Sequence, residues 1–95
     1  MMMFSPGDRV RISPNYHWAQ GAVGTVDLPP ETARQLVQDQ APWNGCHRYV
    51  KGAQSLIEFY WVWFDEPQMD VDEDGPYKGG EIEADALELL VEKTP

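Results

Sequence analysis

The sequence predicts a small all-β domain, a barrel or sandwich of short strands with one short inserted helix. Three observations carry this. Apolar residues fall in short runs set off by Gly, Pro, Asn and Asp, with little helical periodicity. One long run, Ser55-Leu56-Ile57-Glu58-Phe59-Tyr60-Trp61-Val62-Trp63-Phe64, is dense in aromatic and β-branched residues, which favour strands. The whole chain, residues 1–95, is one domain's length, and its 42% hydrophobic content suffices for one modest core.

The elements follow in order. Phe4-Ser5-Pro6-Gly7-Asp8 is a lead-in and turn. Arg9-Val10-Arg11-Ile12 alternates polar and apolar, a first strand with Val10 and Ile12 inward. Residues 13–20 form a loop bearing Tyr16, His17 and Trp18. Gly21 to Leu28 is a second strand, and Gly24 in its interior suggests a bulge or tight bend. An insertion, Pro29 to Gly45, opens with a short helix that starts at Pro29-Pro30-Glu31: Pro suits the first helical position and Glu31 its first turn. Ala33, Leu36 and Val37 make a narrow apolar stripe that fades by Asp39-Gln40. Pro42-Trp43-Asn44-Gly45 is a turn, and Cys46 to Lys51 a short strand before the aromatic one. Asp70 to Glu81 reads as an acidic, glycine-containing loop. Ala84 to Leu87 is a single 3₁₀ turn, and Glu88-Leu89-Leu90-Val91 a last strand.

The aromatic strand organises the rest. Its even set is Leu56, Glu58, Tyr60, Val62 and Phe64; its odd set is Ile57, Phe59, Trp61 and Trp63. Alternate side chains point to opposite faces, so both faces are largely apolar and both need a cover. The core covers one, and an insertion, another subunit or a partner must cover the other. The stripe of Ala33, Leu36 and Val37, with Trp43 beyond it, is the apolar surface left for the other. If the odd face is the outer one, the expectation is that the insertion packs at least over Trp61, leaving Trp63, Tyr16 and Trp18 partly exposed.

Seven Lys and Arg against sixteen Asp and Glu give a net charge of −9. That argues against a nucleic-acid binder, whose affinity comes mainly from Lys and Arg on phosphates. It favours a basic protein partner, or simply solubility. The single Cys46 cannot form an internal disulfide, which suits a reducing compartment. No apolar run nears the roughly 20 residues of a membrane span, so no membrane insertion is expected. Met1 to Phe4 lacks the basic start of a signal peptide, and the expected location is the cytosol.

Two constellations carry candidate chemistry. Asp70-Val71-Asp72-Glu73-Asp74-Gly75 with Glu81 fits the spacing of a calcium loop, in which Asp70, Asp72, Asp74 and Glu81 would surround a hard cation with oxygen. The flanking strand, Pro76 and Gly79-Gly80 suit a solvated acidic hairpin loop better. Cys46, His47 and His17 invite a nucleophile–base reading, but sequence neighbours on a strand point apart and nothing in the spacing brings His17 near. No phosphate-binding glycine loop, CxxC pair or HExxH pattern occurs, and neither an enzyme nor a bound cofactor is expected.

Pro6-Gly7-Asp8-Arg9-Val10-Arg11-Ile12, then Val23-Gly24-Thr25-Val26, then Tyr60-Trp61-Val62-Trp63-Phe64, and last Asp85-Ala86-Leu87-Glu88-Leu89-Leu90 occur in a characteristic order. Together they resemble the SH3-like barrels of electron-transport accessory proteins. That group includes an accessory protein of photosystem I, the ferredoxin–thioredoxin reductase variable chain and the C-terminal domain of the nitrile hydratase β subunit. The resemblance covers about half the chain and departs from it at the insertion and in acidity. It implies a five-stranded SH3-like barrel, with Tyr60, Val62 and Phe64 inside and Trp61 and Trp63 outside. Val10, Ile12, Val26 and Leu89 should join the buried set. It also implies a noncatalytic interaction module or accessory subunit of a redox or hydratase complex. Aromatic residues line the grooves of SH3 domains, and Tyr16, Trp18, Trp61 and Trp63 are the corresponding candidates for a partner site.

Overall fold

The computed structural model describes residues 3–35 and 41–90. Six strands lie among them: β1 (Arg9–Ile12), β2 (Val23–Val26), β3 (His47–Lys51), β4 (Leu56–Gln68), β5 (Tyr77–Glu83) and β6 (Leu87–Leu89). One helical turn, α1 (Glu31–Arg34), follows β2, and a 3₁₀ turn, Ala84–Ala86, joins β5 to β6.

The aromatic run becomes the 13-residue β4, and the sheet is built around it. One edge of β4 pairs first with β3, from Lys51↔Leu56 to His47↔Tyr60, and then with β2, from Val26↔Val62 to Gly24↔Phe64. Its other edge pairs with β5, from Phe59↔Glu83 to Trp63↔Gly79. β1 continues the sheet between β2 and β6, and every pairing is antiparallel. β4 thus has three neighbours, and the sheet curls into half of a barrel. The even face of β4 lies inside: Tyr60, Val62 and Phe64 are buried with Val10, Ile12, Val26 and Ile82. Burying side chains of this size contributes about 1.5–3 kcal/mol each before conformational entropy is charged against it.

The loop after β1 is fastened at both ends. Ser13 N–H donates to the Ala86 carbonyl at 2.7 Å, and Gly21 N–H donates back to the Ile12 carbonyl at 2.9 Å. Ala19 is buried between these anchors, and the hydroxyl of Tyr16 accepts from Glu83 N–H at 3.1 Å. Burial pushes the Tyr16 phenol up from its ordinary pKa.

The N-terminal stretch is fastened to Tyr60. Met3 and Phe4 N–H both donate to the Tyr60 hydroxyl, at 2.8 and 3.2 Å, and that hydroxyl donates to Glu58 at 3.2 Å. The Phe4 ring stands edge-on to Tyr60. Burial, above all, raises the Tyr60 phenol above its usual value. A folded-state pKa above the unfolded one gives stability that is present below about pH 10 and lost as pH rises through the folded value. Denaturant melts across the alkaline range should therefore show stability falling above pH about 10. Tyr60→Phe should start less stable at neutral pH and fall less steeply. Equal slopes for both proteins would refute this role for Tyr60.

Four expectations need correction. Residues 77–81 are strand, not loop, which makes six strands instead of five. Gly79-Gly80 reads as a turn signal, yet pairing with β4 holds it extended. Gly24 makes no bulge: it pairs in register with Val10 and Phe64, and the glycine is needed because β4 runs close beside it. Leu89 is 46% exposed, because β6 is the sheet's rim and Leu87 takes the place against the core. The helix lasts one turn and ends where Gln35 turns extended. Ala33 is half-buried, while Leu36 and Val37 lie outside the described residues.

Candidate interaction cleft

The odd side chains of β4, Ile57, Phe59, Trp61 and Trp63, lie on the outer face, all half-buried. Chain on both sides of the helical insertion is fastened to that face. Where the chain enters, Pro29 is fully buried and the Leu28 carbonyl accepts from Trp63 Nε1 at 2.9 Å. Where it leaves, the Trp43 ring stands edge-on to Trp61 at 6.0 Å. The Arg48 guanidinium lies 4.9 Å over Trp43, donates to the Ala41 carbonyl, and grips Glu81 at 2.9 and 2.6 Å. A bidentate Arg–carboxylate pair that is mostly buried fixes geometry as well as charge. Trp61 Nε1 is buried beneath this cover with no acceptor among the described residues.

Beside the cover runs a cleft of about 400 Å³. Its walls are the rings of Trp18, Tyr77 and Trp61, with His17 and Val71; Gly79-Gly80 lie between them, and Asp70 and Glu81 bring carboxylates. Trp18 stands edge-on to Phe64 at 5.5 Å and to Tyr77 at 6.2 Å, an arrangement that favours aromatic pairs. The two glycines seat the two tryptophans. A methyl group on Gly80 would strike Trp18 Cη2 and Cζ2; one on Gly79 would come within 2.8 Å of Trp61 Nε1. Adjacent strand residues face opposite ways, so Trp18 closes the inner side of β5 and Trp61 the outer side.

The four residues expected to bind a partner are divided by the fold. Trp18 and Trp61 share the cleft. Tyr16 is turned to Glu83 and lines a separate hollow with Ser13, Asn15 and Asp85. Trp63 packs on Trp61 and is held by the Leu28 carbonyl.

The calcium-loop residues are not gathered. Asp70 Oδ1 accepts from the loop's own amides, Asp72 N–H at 2.8 Å and Asp74 N–H at 3.1 Å. Glu81 sits on β5, opposite Trp61 and bound to Arg48. Among the described residues no three His, Cys, Asp or Glu side chains are placed to share a metal ion. The Cys–His reading does not assemble either. Cys46 is buried in the core, where burial raises its thiol pKa away from the reactive thiolate. His47 lies against Tyr60, its Nδ1 3.7 Å from Glu58, and His17 lines the cleft.

Tyr77 and the glycine pair escape a reading by spacing alone. The one signal is two glycines next to an aromatic on a chain rich in Trp, since a missing side chain makes room for a ring. Among the described residues no helix is long and apolar enough to cross a membrane. Set against protein-family models, curated proteins and solved structures, the chain matches none.

Proposed function

We propose that this protein is a noncatalytic protein–protein interaction module that receives a basic segment of a partner protein in the cleft between Trp18 and Trp61. The observation that carries this reading is the joining of aromatic walls and the Asp70 carboxylate in one concavity, on a chain of net charge −9. Trp, Tyr and Arg dominate interface energetics, and rigid rings in a pocket order little on binding. The acidic surround steers basic partners and makes their association sensitive to salt. The SH3-like resemblance adds the role: an accessory domain or small subunit, of the kind found in redox and hydratase complexes. The same reading sets the module in the cytosol, in keeping with a single, buried cysteine.

The test compares baits. Parent protein and Trp18→Ala, both shown folded by circular dichroism, are used to capture proteins from the native source. Basic proteins held by the parent should be lost on Trp18→Ala, with affinity for a purified one falling about tenfold or more, and added salt should slow association of the parent. Equal capture by both baits would overturn the reading.

A further inference from the structure

We infer that the partner segment docks by adding a β-strand to the open edge of β5, pairing its backbone with Gly79 and Glu81. This rests on the interaction reading above and gives it a geometry. Among the described residues β5 pairs with β4 alone, so its other edge carries no ladder. The direction of the edge groups follows from one bond. Glu83 N–H donates to the Tyr16 hydroxyl, on the side away from β4. Hydrogen-bonded and non-hydrogen-bonded pairs alternate along an antiparallel ladder. Glu83↔Phe59 is therefore a non-hydrogen-bonded pair, and so are Glu81↔Trp61 and Gly79↔Trp63. Glu81 and Gly79 thus turn N–H and C=O toward the open edge. Tyr16 closes that edge at Glu83, and the cleft lies along what remains.

An unpaired edge is a template for another strand, and proteins usually blunt one with proline, a bulge or charge. Here Pro76 precedes the strand and the register shifts between Tyr77 and Gly79, so the regular open stretch is Gly79 to Glu81, which carries two glycines flanked by rings. An added strand would place alternate side chains on opposite faces. One set meets Trp18 on the inner side, and the other meets Trp61 on the outer side. Main-chain bonds supply affinity in this mode, and flanking pockets supply sequence preference.

Charge selects the occupant. Asp70, Asp72, Glu73 and Asp74 crowd the loop leading into β5. A second copy paired through β5 about a two-fold axis would run antiparallel and set this loop against the other copy's Glu83 and Asp85, again acid on acid, and each chain carries −9. Like charges brought together at an interface are unfavourable. A basic, extended segment of a different protein meets no such cost.

The test uses the intact chain and a short capped peptide alternating lysine and valine. Two derivatives carry N-methyl groups on alternate residues, one derivative for each phase of the strand. N-methylation removes the donors on one edge and leaves the side chains in place. With the parent peptide, the Gly79 and Glu81 amides should exchange about tenfold more slowly by NMR. One methylated phase should lose about tenfold in affinity while the other binds like the parent. If both phases bind like the parent, side chains alone dock: strand addition falls and the interaction reading survives. If the parent peptide leaves both amides unprotected, strand addition falls again, and the Trp18→Ala capture decides the interaction reading separately. Concentration-dependent protection of Gly79 without peptide, with dimers in sedimentation, would overturn the choice of a basic partner over a second copy.

Discussion

Gly24→Ala is expected to cost about 3 kcal/mol or more, the upper end of the range for overpacking a core. The added methyl group would strike the Trp63 carbonyl oxygen and stand 2.7 Å from Val62 Cγ1. Neither neighbour yields cheaply. Val62 is fully buried, with its side chain among the packed residues of the half-barrel. The Trp63 carbonyl belongs to β4 where it pairs with β2 on one edge and β5 on the other. Moving it breaks ladder contacts on two strands at once. Domains of this size hold roughly 5–15 kcal/mol in total, so a loss of this order shifts the denaturant midpoint far outside error. A midpoint equal to that of the parent would show that β2 and β4 can separate without cost, contrary to the packing described.

The same position illustrates what a sequence does and does not disclose. The existence of β4 is legible, because a run of ten residues with seven aromatic or β-branched permits little else. So are β1, from the alternation of Arg9-Val10-Arg11-Ile12, and the 3₁₀ turn near Ala84. The buried face of β4 is not legible from β4 itself, since both faces are apolar; only the resemblance chooses Tyr60, Val62 and Phe64. Gly24 stands out in the sequence, but the bulge it suggests is the wrong reason. A glycine marks a bulge or a close approach equally well, and the approaching backbone lies about forty positions away in sequence. β5 is hidden for a related reason. Glycine lowers strand propensity, and the rings that need Gly79 and Gly80 come from β4 and from the loop after β1. The cleft is half visible. Its aromatic residues can be named singly, but Trp18, Trp61 and Tyr77 meet only through long-range pairing, which spacing does not encode. Trp63 and Tyr16 are natural companions of the cleft in sequence and are parted from it by hydrogen bonds to Leu28 and Glu83.

Gly80→Ala is expected to weaken partner binding about tenfold or more while leaving the fold largely intact. The new methyl group would meet the edge of the Trp18 indole, at Cη2 and Cζ2, with Phe64 Cζ beyond at 3.5 Å. The atom in the way is the far end of a side chain on a loop, unlike the β4 backbone at Gly24. Trp18 yields by swinging out, and it gives up its edge-on contacts to Phe64 and Tyr77. Aromatic pairs of this kind contribute about 0.5–1.5 kcal/mol each beyond area burial, so the stability cost should be near 2 kcal/mol. The effect on binding is larger, because Trp18 forms the inner wall of the cleft. Loss of a central aromatic anchor reduces affinity by about tenfold or more. The variant should match Trp18→Ala in capture, while its far-ultraviolet circular dichroism stays that of the parent. Gly79→Ala separates the two effects further. Its methyl group would press on the Val62 carbonyl at 2.8 Å as well as on Trp61 Nε1, so backbone must move and stability should fall more than for Gly80→Ala. If Gly80→Ala binds partners as the parent does, with Trp18 displaced in its NMR spectrum, the cleft is not the interaction site.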